Sequence, residues 1–223
     1  MAQTGRRANG FAIGITAAVV AVLIALVGVV VWLNNSATQP GDRPTSSHIT
    51  DSGSIVFGGG KANTVTTYVD FLCPICQQFE QAEGPTIQKQ IADGRASLEV
   101  QPVAILDGRS VPAGYSSRAA SAMYSVAIHD YEHASAFMQA LYAQQPQEGS
   151  AGLTDDQIVG IAKQAGVTVT GDLENEIKTH RYQKFVQSVQ LPPGATGTPT
   201  LVINGDRIPL TLNPETDILP HLK

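Results

Sequence analysis

The 223-residue sequence is poor in cysteine and in basic charge, with only two cysteines and 14 basic residues against 19 acidic ones. Its formal net charge is −5, and it has no basic stretch interleaved with aromatic residues, which excludes a typical nucleic-acid-binding protein. Two cysteines make at most half of a four-cysteine zinc site, and no histidine pair follows at zinc-finger spacing. The composition therefore predicts neither a zinc finger nor a nucleic-acid partner.

Charge is absent altogether from the run 11–33. A helix of this length measures about 34 Å at 1.5 Å per residue, enough to cross a bilayer. Arg6 and Arg7 precede the run and Asp42 is the first charge after it, so the positive-inside rule predicts a cytoplasmic segment 1–10 and an extracytoplasmic remainder. A cleavable secretory signal is the alternative, but its apolar region is usually about 7 to 15 residues long. We therefore predict a single-pass signal anchor in the cell membrane.

Residues 34–54 are rich in Asn, Ser, Thr, Gly, Pro and Asp, a composition that predicts a flexible tether.

A helix is predicted over 76–92, with a kink or break at Pro85. Pro102 indicates an edge strand or a bulge. Runs of β-branched and apolar residues predict strands at 55–57, 64–71 and 98–106. Strand, helix and strand in this order predict a right-handed parallel unit.

A predicted helical insert, 111–190, divides the α/β domain into the parts 55–110 and 191–223. Within the insert, Thr154 and Gln157 form a capping-box signature. Helical composition covers residues 118–145, 154–166 and 171–190.

The second part of the α/β domain begins with Leu191-Pro192-Pro193-Gly194 and contains a hairpin signal. Asn204-Gly205 separates two apolar runs, which predicts antiparallel strands at 200–203 and 207–210. Asn213-Pro214 then predicts the N-terminus of a short terminal helix.

Both cysteines lie in Cys73-Pro74-Ile75-Cys76, where a predicted strand gives way to a helix. Metal half-site, structural disulfide and redox pair are the three interpretations. A bridge across so short a loop constrains the unfolded chain little, whereas an extracytoplasmic location permits disulfide chemistry. At a helix N-terminus the Cys73 thiolate is favoured, which predicts an attacking Cys73 and a resolving Cys76. No metal and no cofactor beyond the cysteine pair itself are expected.

From about residue 54 to residue 223, the sequence resembles the DsbA-like branch of the thioredoxin superfamily. The resemblance rests on Tyr68-Val69-Asp70-Phe71-Leu72 leading into the cysteine motif, the helical insert, Gly197-Thr198-Pro199-Thr200 before a hairpin, and a terminal helix. It implies a thioredoxin fold with an all-helical insertion, here preceded by one transmembrane helix. In such membrane-tethered bacterial oxidoreductases the fold serves thiol-disulfide exchange.

The resemblance also implies roles for particular residues. Pro199 is expected in cis beside the two sulfurs, leaving backbone groups near Thr198 free to pair with an extended substrate. A client thiolate attacks Cys73, a second client thiolate resolves the mixed disulfide, and the reduced cysteine pair remains. The expected partners are exported proteins with cysteines and a membrane-bound reoxidising protein, DsbB-like or VKOR-like.

Three departures from the family pattern bear on the direction of the reaction and on proton transfer. Pro74-Ile75 stands where DsbA-type oxidases often carry a histidine, and Thr198 before Pro199 is more typical of reductases and isomerases. Thr67 occupies the position at which many relatives hold a buried acid, so Asp70 is a candidate for proton transfer. An oxidase is the preferred hypothesis, with a reductase or isomerase of the same fold as the alternative.

Two further classes of function are possible from the sequence. His129-Asp130-Tyr131-Glu132-His133 fits the H-x-x-E-H zinc-protease pattern, and on a continuous helix its two histidines would share a face. The preferred interpretation of this motif is a solvated polar patch, since no third ligand is evident. A non-catalytic thioredoxin-fold binding module is the other class, and the intact cysteine pair argues against it.

Overall fold

A computed structural model describes residues 7–38, 41–60 and 62–223. The chain divides into a unit that ends at Pro40 and a second unit, Gly41–Lys223. In the first, α1 spans Arg7–Thr38, and its stretch Ile13–Val31 has a mean hydropathy of 2.9 and exposed side chains. By length and composition this helix can cross a membrane. Residues 1–6 of the predicted cytoplasmic segment lie outside the described residues.

The second unit is built on a five-stranded mixed sheet in the order β1-β3-β2-β4-β5. The predicted parallel unit is confirmed, because β2 and β3 are parallel and the other pairings are antiparallel. The edge position predicted from Pro102 is wrong, since β3 lies between two strands and Pro102 is its last residue. The strands are β1 (Ile55–Phe57), β2 (Thr64–Val69), β3 (Ser97–Pro102), β4 (Thr200–Ile203) and β5 (Asp206–Ile208).

The helix after β2 is interrupted as its proline predicts. Its first part is α2 (Pro74–Ala82) and its second part is α3 (Gly84–Ala92), with Glu83 between them and Pro85 in the first turn of α3. Pro85 lacks the N–H that would continue the hydrogen-bond ladder, so the axis breaks just before it. The apolar side chains Phe79 of α2 and Ile87 of α3 are buried in the core.

Five helices lie between β3 and β4, all within the range predicted for the insert. Two predicted helices are each divided in two: Asp130, with φ −150° and ψ 71°, separates α4 from α5, and His180, with φ 53°, lies between α7 and α8. Neither backbone conformation is helical, so each predicted continuous helix stops there. The insert contains α4 (Tyr115–His129), α5 (Tyr131–Ala143), α6 (Asp155–Gln164), α7 (Gly171–Lys178) and α8 (Gln183–Ser188).

Local sequence signals are confirmed at two turns. The Gln157 N–H donates to Thr154 Oγ1 at 3.2 Å and the Thr154 N–H donates to Gln157 Oε1 at 2.8 Å, which completes the capping box. Asn204 and Gly205 have φ values of 54° and 92°, the positive pair that a tight hairpin turn requires. The C-terminal helix, α9, is short, spans Pro214–Asp217 and is followed by a 3₁₀ turn.

The structure differs from the tether predicted over 34–54. Residues 34–38 are the end of α1, residues 39 and 40 lie outside the described residues, and residues 41–54 belong to the folded unit. The His48 ring stacks on Tyr131 at 3.5 Å between centroids, and the Ser54 hydroxyl donates to the buried Gln101 amide oxygen at 3.0 Å. The polar composition of this segment is typical of a tether, but His48 and Ser54 contact side chains of α5 and β3, which are distant in sequence.

The H-x-x-E-H pattern does not present a metal site. The break at Asp130 places His129 and His133 on different helices, so the shared face expected of a continuous helix is lost. His129 lies 3.2 Å from a Glu176 oxygen, His133 lies 2.8 Å from Asp130, and Glu132 is exposed. Among the residues that the structure describes, no three His, Cys, Asp or Glu side chains are grouped to hold a metal ion.

Candidate active site at the cysteine pair

The cysteine motif lies where β2 leaves the sheet and α2 begins. Cys73 is the N-cap residue of α2, and Pro74 occupies the first helical turn, where a missing N–H leaves no bond unmade. The Cys73 carbonyl accepts the Cys76 and Gln77 N–H groups at 3.0 and 3.3 Å. Both cysteines are free thiols. The N–H groups of Ile75 and Cys76 in this first turn also act on the Cys73 sulfur.

Burial distinguishes the two thiols. Cys76 is 0% exposed, whereas Cys73 is 6% exposed and lies beside the solvent-facing side chains of Pro74 and Ile75. Ile75 is itself 46% exposed, an unusual position for a large apolar side chain in the folded unit. An incoming sulfur therefore reaches Cys73 before Cys76, as the sequence predicts.

The loop before β4 brings a second segment to the cysteines from more than a hundred residues away. The Thr198–Pro199 peptide bond is cis, as the resemblance implied. The Cys73 thiol donates to the Thr198 carbonyl oxygen at 3.3 Å. The structure thus brings together Cys73, Cys76, Thr198 and Pro199.

The environment moves the pKa values of the two thiols in opposite directions. Hydrogen bonding from Cys76 is the main cause that lowers the pKa of Cys73 from 9.0 to about 6, in spite of partial burial. The Thr198 hydroxyl and the N–H groups of Cys76 and Ile75 act in the same direction. Burial, reinforced by Cys73, raises the pKa of Cys76 well above its usual value. At neutral pH the reduced pair holds a thiolate on Cys73 and a thiol on Cys76.

Asp70 is placed differently from a solvated strand-end aspartate. It is 0% exposed, and its two oxygens accept the N–H groups of Leu72 at 2.8 Å and Leu106 at 2.9 Å. Burial is the main cause that raises its pKa, although these bonds and one from Ser116 oppose the rise. The carboxyl group therefore ties the cysteine loop to the chain that follows β3. The Asp70 N–H also approaches Cys76 Sγ at 3.5 Å.

Three residues near the cysteines were not found from the sequence. The Gln145 side-chain amide donates to the Cys73 carbonyl oxygen at 3.0 Å from just beyond α5. Tyr142 of α5 is buried, and Gln77 donates to its carbonyl oxygen at 2.6 Å. Glu80 lies one helical turn after Cys76. The i, i+4 spacing from Cys76 to Glu80 was the only sequence signal available, because the other two residues approach through tertiary packing.

Comparison with known proteins agrees with this geometry. A family model described as thioredoxin matches residues 50–216. The chain belongs to the thioredoxin family. Reduced DsbA from Mycobacterium tuberculosis is 30% identical, with a TM-score of 0.61 and coverage of 78% of this chain and 86% of that one. The reduced disulfide bond oxidoreductase DsbG of the same organism is 31% identical, with a TM-score of 0.61 and coverage of 79% and 85%.

A curated relative of another kind matches only in part. The serine/threonine-protein kinase PknE of Mycobacterium tuberculosis is 30% identical over 111 residues, which are 48% of this chain. The chain spans about a fifth of the length of that relative, since the match covers 20% of it. The thioredoxin fold, the free cysteine pair and the DsbA and DsbG matches together support a protein thiol-disulfide oxidoreductase of the DsbA-like branch.

Proposed function

We propose that this thioredoxin-family protein is an extracytoplasmic, membrane-anchored oxidase that introduces disulfides into exported proteins through Cys73 and Cys76. The observation that carries the proposal is the position of Cys73 at the N-terminus of α2, beside the buried Cys76, where its pKa is lowered to about 6. A stabilised thiolate stabilises the reduced form of the pair, so electrons pass from client thiols to the protein.

The reaction uses two exchanges that conserve electrons. A client thiolate attacks Cys73 Sγ of the Cys73–Cys76 disulfide, forming a mixed disulfide and expelling the sulfur of Cys76 as a thiolate. A second client thiolate attacks the client sulfur, forming the client disulfide and releasing the Cys73 thiolate. The client loses two electrons and the cysteine pair gains them. A membrane-bound protein, DsbB-like or VKOR-like, then reoxidises the pair.

The surface beside Thr198 has the form that an extended client requires. A groove of about 420 Å³ runs along the cis-proline loop and the outer side of the hairpin. β5 is an edge strand of the sheet, so part of its backbone is available for pairing with another chain. Exposed Ile75 borders the attacking sulfur and supplies apolar contact without selecting one side chain. These features support unfolded, cysteine-containing exported proteins as the clients.

The proposal is tested with the oxidised full-length protein in detergent micelles and a reduced two-cysteine peptide. Wild type is expected to convert the peptide to its disulfide, with the cysteine pair reduced in equal amount. The Cys76→Ala variant is prepared with glutathione bound to Cys73 through a disulfide. A peptide thiolate is expected to displace the glutathione and to leave the peptide bound to Cys73 as a mixed disulfide. Cys73→Ala is expected to do neither. Activity that survives Cys73→Ala refutes the assigned role, and an inactive wild type favours the binding module.

A reductase or isomerase is the second candidate, and one observation favours it. Thr198, the residue before the cis proline, is more typical of reductases and isomerases than of the strongest oxidases. The oxidase and the isomerase are distinguished by an assay in which the reduced protein is mixed with a peptide that carries a wrongly paired disulfide. Rapid rearrangement without net oxidation supports an isomerase.

A further inference from the structure

The peptide group that follows the attacking cysteine can be held at one atom only. Cys73 is the N-cap residue of α2 and is followed by Pro74, which has no N–H, so the Cys73 carbonyl oxygen is the sole hydrogen-bonding group of that peptide. The ψ angle of Cys73, 115°, orients this carbonyl. The same angle sets where the N–H groups of Ile75 and Cys76 lie relative to the Cys73 sulfur. A partner that fixes the carbonyl therefore also fixes the surroundings of the sulfur.

The side-chain amide of Gln145 is such a partner. Its nitrogen donates to the Cys73 carbonyl oxygen at 3.0 Å and to the Phe71 carbonyl oxygen at 3.0 Å. An amide nitrogen carries two hydrogens, so each oxygen receives one, and an amide oxygen in this place would have nothing to accept. Inside α2, the Cys73 carbonyl oxygen also accepts the N–H groups of Cys76 and Gln77. Gln145 thus adds a contact from outside the helix.

Gln145 is itself fixed to the end of α5. Its backbone N–H donates to the Tyr142 carbonyl oxygen at 3.2 Å, and the Gln77 side chain of α2 donates to the same oxygen at 2.6 Å. The buried Tyr142 ring lies 5.2 Å from the Phe71 ring, measured between centroids. The end of α5 therefore contacts the chain both before and after Cys73.

Asp70 holds the chain before Cys73 but does not reach the peptide group after it. The Leu72 N–H donates to Asp70 Oδ1 at 2.8 Å, and the Cys73 N–H donates to the Asp70 carbonyl oxygen at 3.1 Å. The peptide between Phe71 and Leu72 is thus held at both ends, by Gln145 and by Asp70. The peptide after Cys73 has Gln145 as its partner outside α2.

From these contacts we propose that Gln145 is a positioning residue for the reaction, which holds the peptide group after Cys73 so that the N–H groups of the first turn of α2 point at the attacking sulfur. The inference rests on the proposed function, because it takes Cys73 as the nucleophile. The two hydrogen bonds of the Gln145 amide go to main-chain oxygens and not to a sulfur. The same bonds can therefore form in the oxidised, mixed-disulfide and reduced states.

Loss of this contact should reduce the ionisation of Cys73. The N–H groups of Ile75 and Cys76 lower the Cys73 pKa, and they move away from the sulfur if the Cys73 carbonyl turns toward water. The free energy of one hydrogen bond corresponds to about one pKa unit, so the pKa should rise by about 0.5 to 1. At pH 7 a rise from about 6 to about 7 lowers the ionised fraction from about 90% to about 50%.

The pH dependence of alkylation tests this role in the reduced full-length protein in detergent micelles. Labelling by iodoacetamide is followed between pH 4 and pH 10, and mass spectrometry of the digested protein distinguishes Cys73 from Cys76. Gln145→Ala should raise the Cys73 midpoint by about 0.5 to 1 pH unit. Gln145→Glu keeps the size of the side chain but has no donor when ionised, so it should raise the midpoint at least as much.

Gln144 provides the matched controls. It precedes Gln145, is exposed, and donates to Gln164 Oε1 at 3.1 Å instead of to the chain around Cys73. Gln144→Ala should keep the wild-type midpoint for Cys73. Gln144→Glu adds the same charge one residue away and should raise the midpoint less than Gln145→Glu does. Urea unfolding of each variant measures any change in stability separately.

The equilibrium with glutathione gives a second readout. If the Cys73 pKa rises by one unit, the equilibrium constant for reduction of the cysteine pair at pH 7 should be about fivefold lower in Gln145→Ala than in Gln144→Ala.

Wild-type midpoints of alkylation in both Gln145 variants would overturn the inference, even if the urea midpoint falls, because the role of Gln145 would then be structural. Equal midpoints in Gln145→Glu and Gln144→Glu would also overturn it. A wild-type protein in which Cys73 is not alkylated in preference to Cys76 would instead overturn the proposed function.

Discussion

Cys76 should control the ionisation of Cys73 as well as resolve its mixed disulfides. Its hydrogen bond is the largest cause that lowers the pKa of Cys73 from 9.0 to about 6. In Cys76→Ala this donor is lost, while the Thr198 hydroxyl and the N–H groups of the first helical turn remain. The Cys73 pKa is therefore expected to rise to a value between about 7 and 9.

The loss of this hydrogen bond should change the ionised fraction of Cys73 much more than it changes the alkylation rate. At pH 7 a pKa of about 6 leaves about 90% of the thiol ionised, whereas a pKa of 9.0 leaves about 1%. A more basic thiolate is also a better nucleophile, and a Brønsted coefficient of about 0.4–0.5 returns about 20-fold over three pKa units. Even complete loss of the stabilisation would therefore slow alkylation at pH 7 only about fourfold. A single rate at pH 7 is thus a weak test, and the full pH profile is required.

The assay is the rate of iodoacetamide alkylation between pH 4 and pH 10, followed by mass spectrometry. Because the chain has only two cysteines, Cys73 is the sole target in Cys76→Ala. Cys76→Ser, which keeps a hydrogen-bond donor, is the matched control and should give a lower midpoint than the alanine variant. A midpoint that stays near pH 6 in Cys76→Ala would refute the assignment of this hydrogen bond as the main cause.

Three further perturbations test other parts of the structure. Thr198→Val removes a hydroxyl that stabilises the Cys73 thiolate and should raise the Cys73 pKa. Thr196→Val, at an exposed position, is the control and should leave that pKa unchanged. Equal midpoints of alkylation in the two variants would contradict this prediction. Burial raises the pKa of Glu83 to about 7 from 4.5, so the folded state binds its proton more tightly and loses stability as pH rises from about 4.5 to 7. Glu83→Gln should therefore raise the urea midpoint at pH 8 more than at pH 4.5, and an equal rise at both would argue against the linkage. A phosphatase that needs disulfides, fused after Lys223, should be active only if the C-terminus is extracytoplasmic, and an inactive but intact fusion would reverse the predicted topology.

The features that the sequence predicted well depend on residues close together in the chain. Asn204-Gly205 determines a hairpin turn by its own backbone preferences, and Thr154 with Gln157 completes a capping box within one helical turn. The position of Cys73 at a helix N-terminus likewise followed from the strand before it and from Pro74 after it. Such signals need no knowledge of tertiary packing.

The features that were missed depend on contacts between distant segments. Gln145 reaches the Cys73 carbonyl from 72 residues away, and Gln77 of α2 donates to the Tyr142 carbonyl oxygen of α5 from 65 residues away. Residues 41–54 have the composition of a tether but contact the sheet and α5. Asp70 was a candidate for proton transfer from the sequence, and its bonds to two backbone N–H groups, which the sequence did not predict, indicate a role in holding the loop.

The reduction potential of the Cys73–Cys76 pair, measured for the full-length protein at equilibrium with glutathione, tests the proposed oxidase most directly. At pH 7, a thiol pKa one unit below that of thioredoxin stabilises the reduced form by about 1 kcal/mol, or about 20 mV. This contribution makes the reduction potential of the pair higher than that of thioredoxin. The account predicts a potential above the thioredoxin value of about −270 mV, toward the DsbA value of about −120 mV. A value at or below about −270 mV would contradict it.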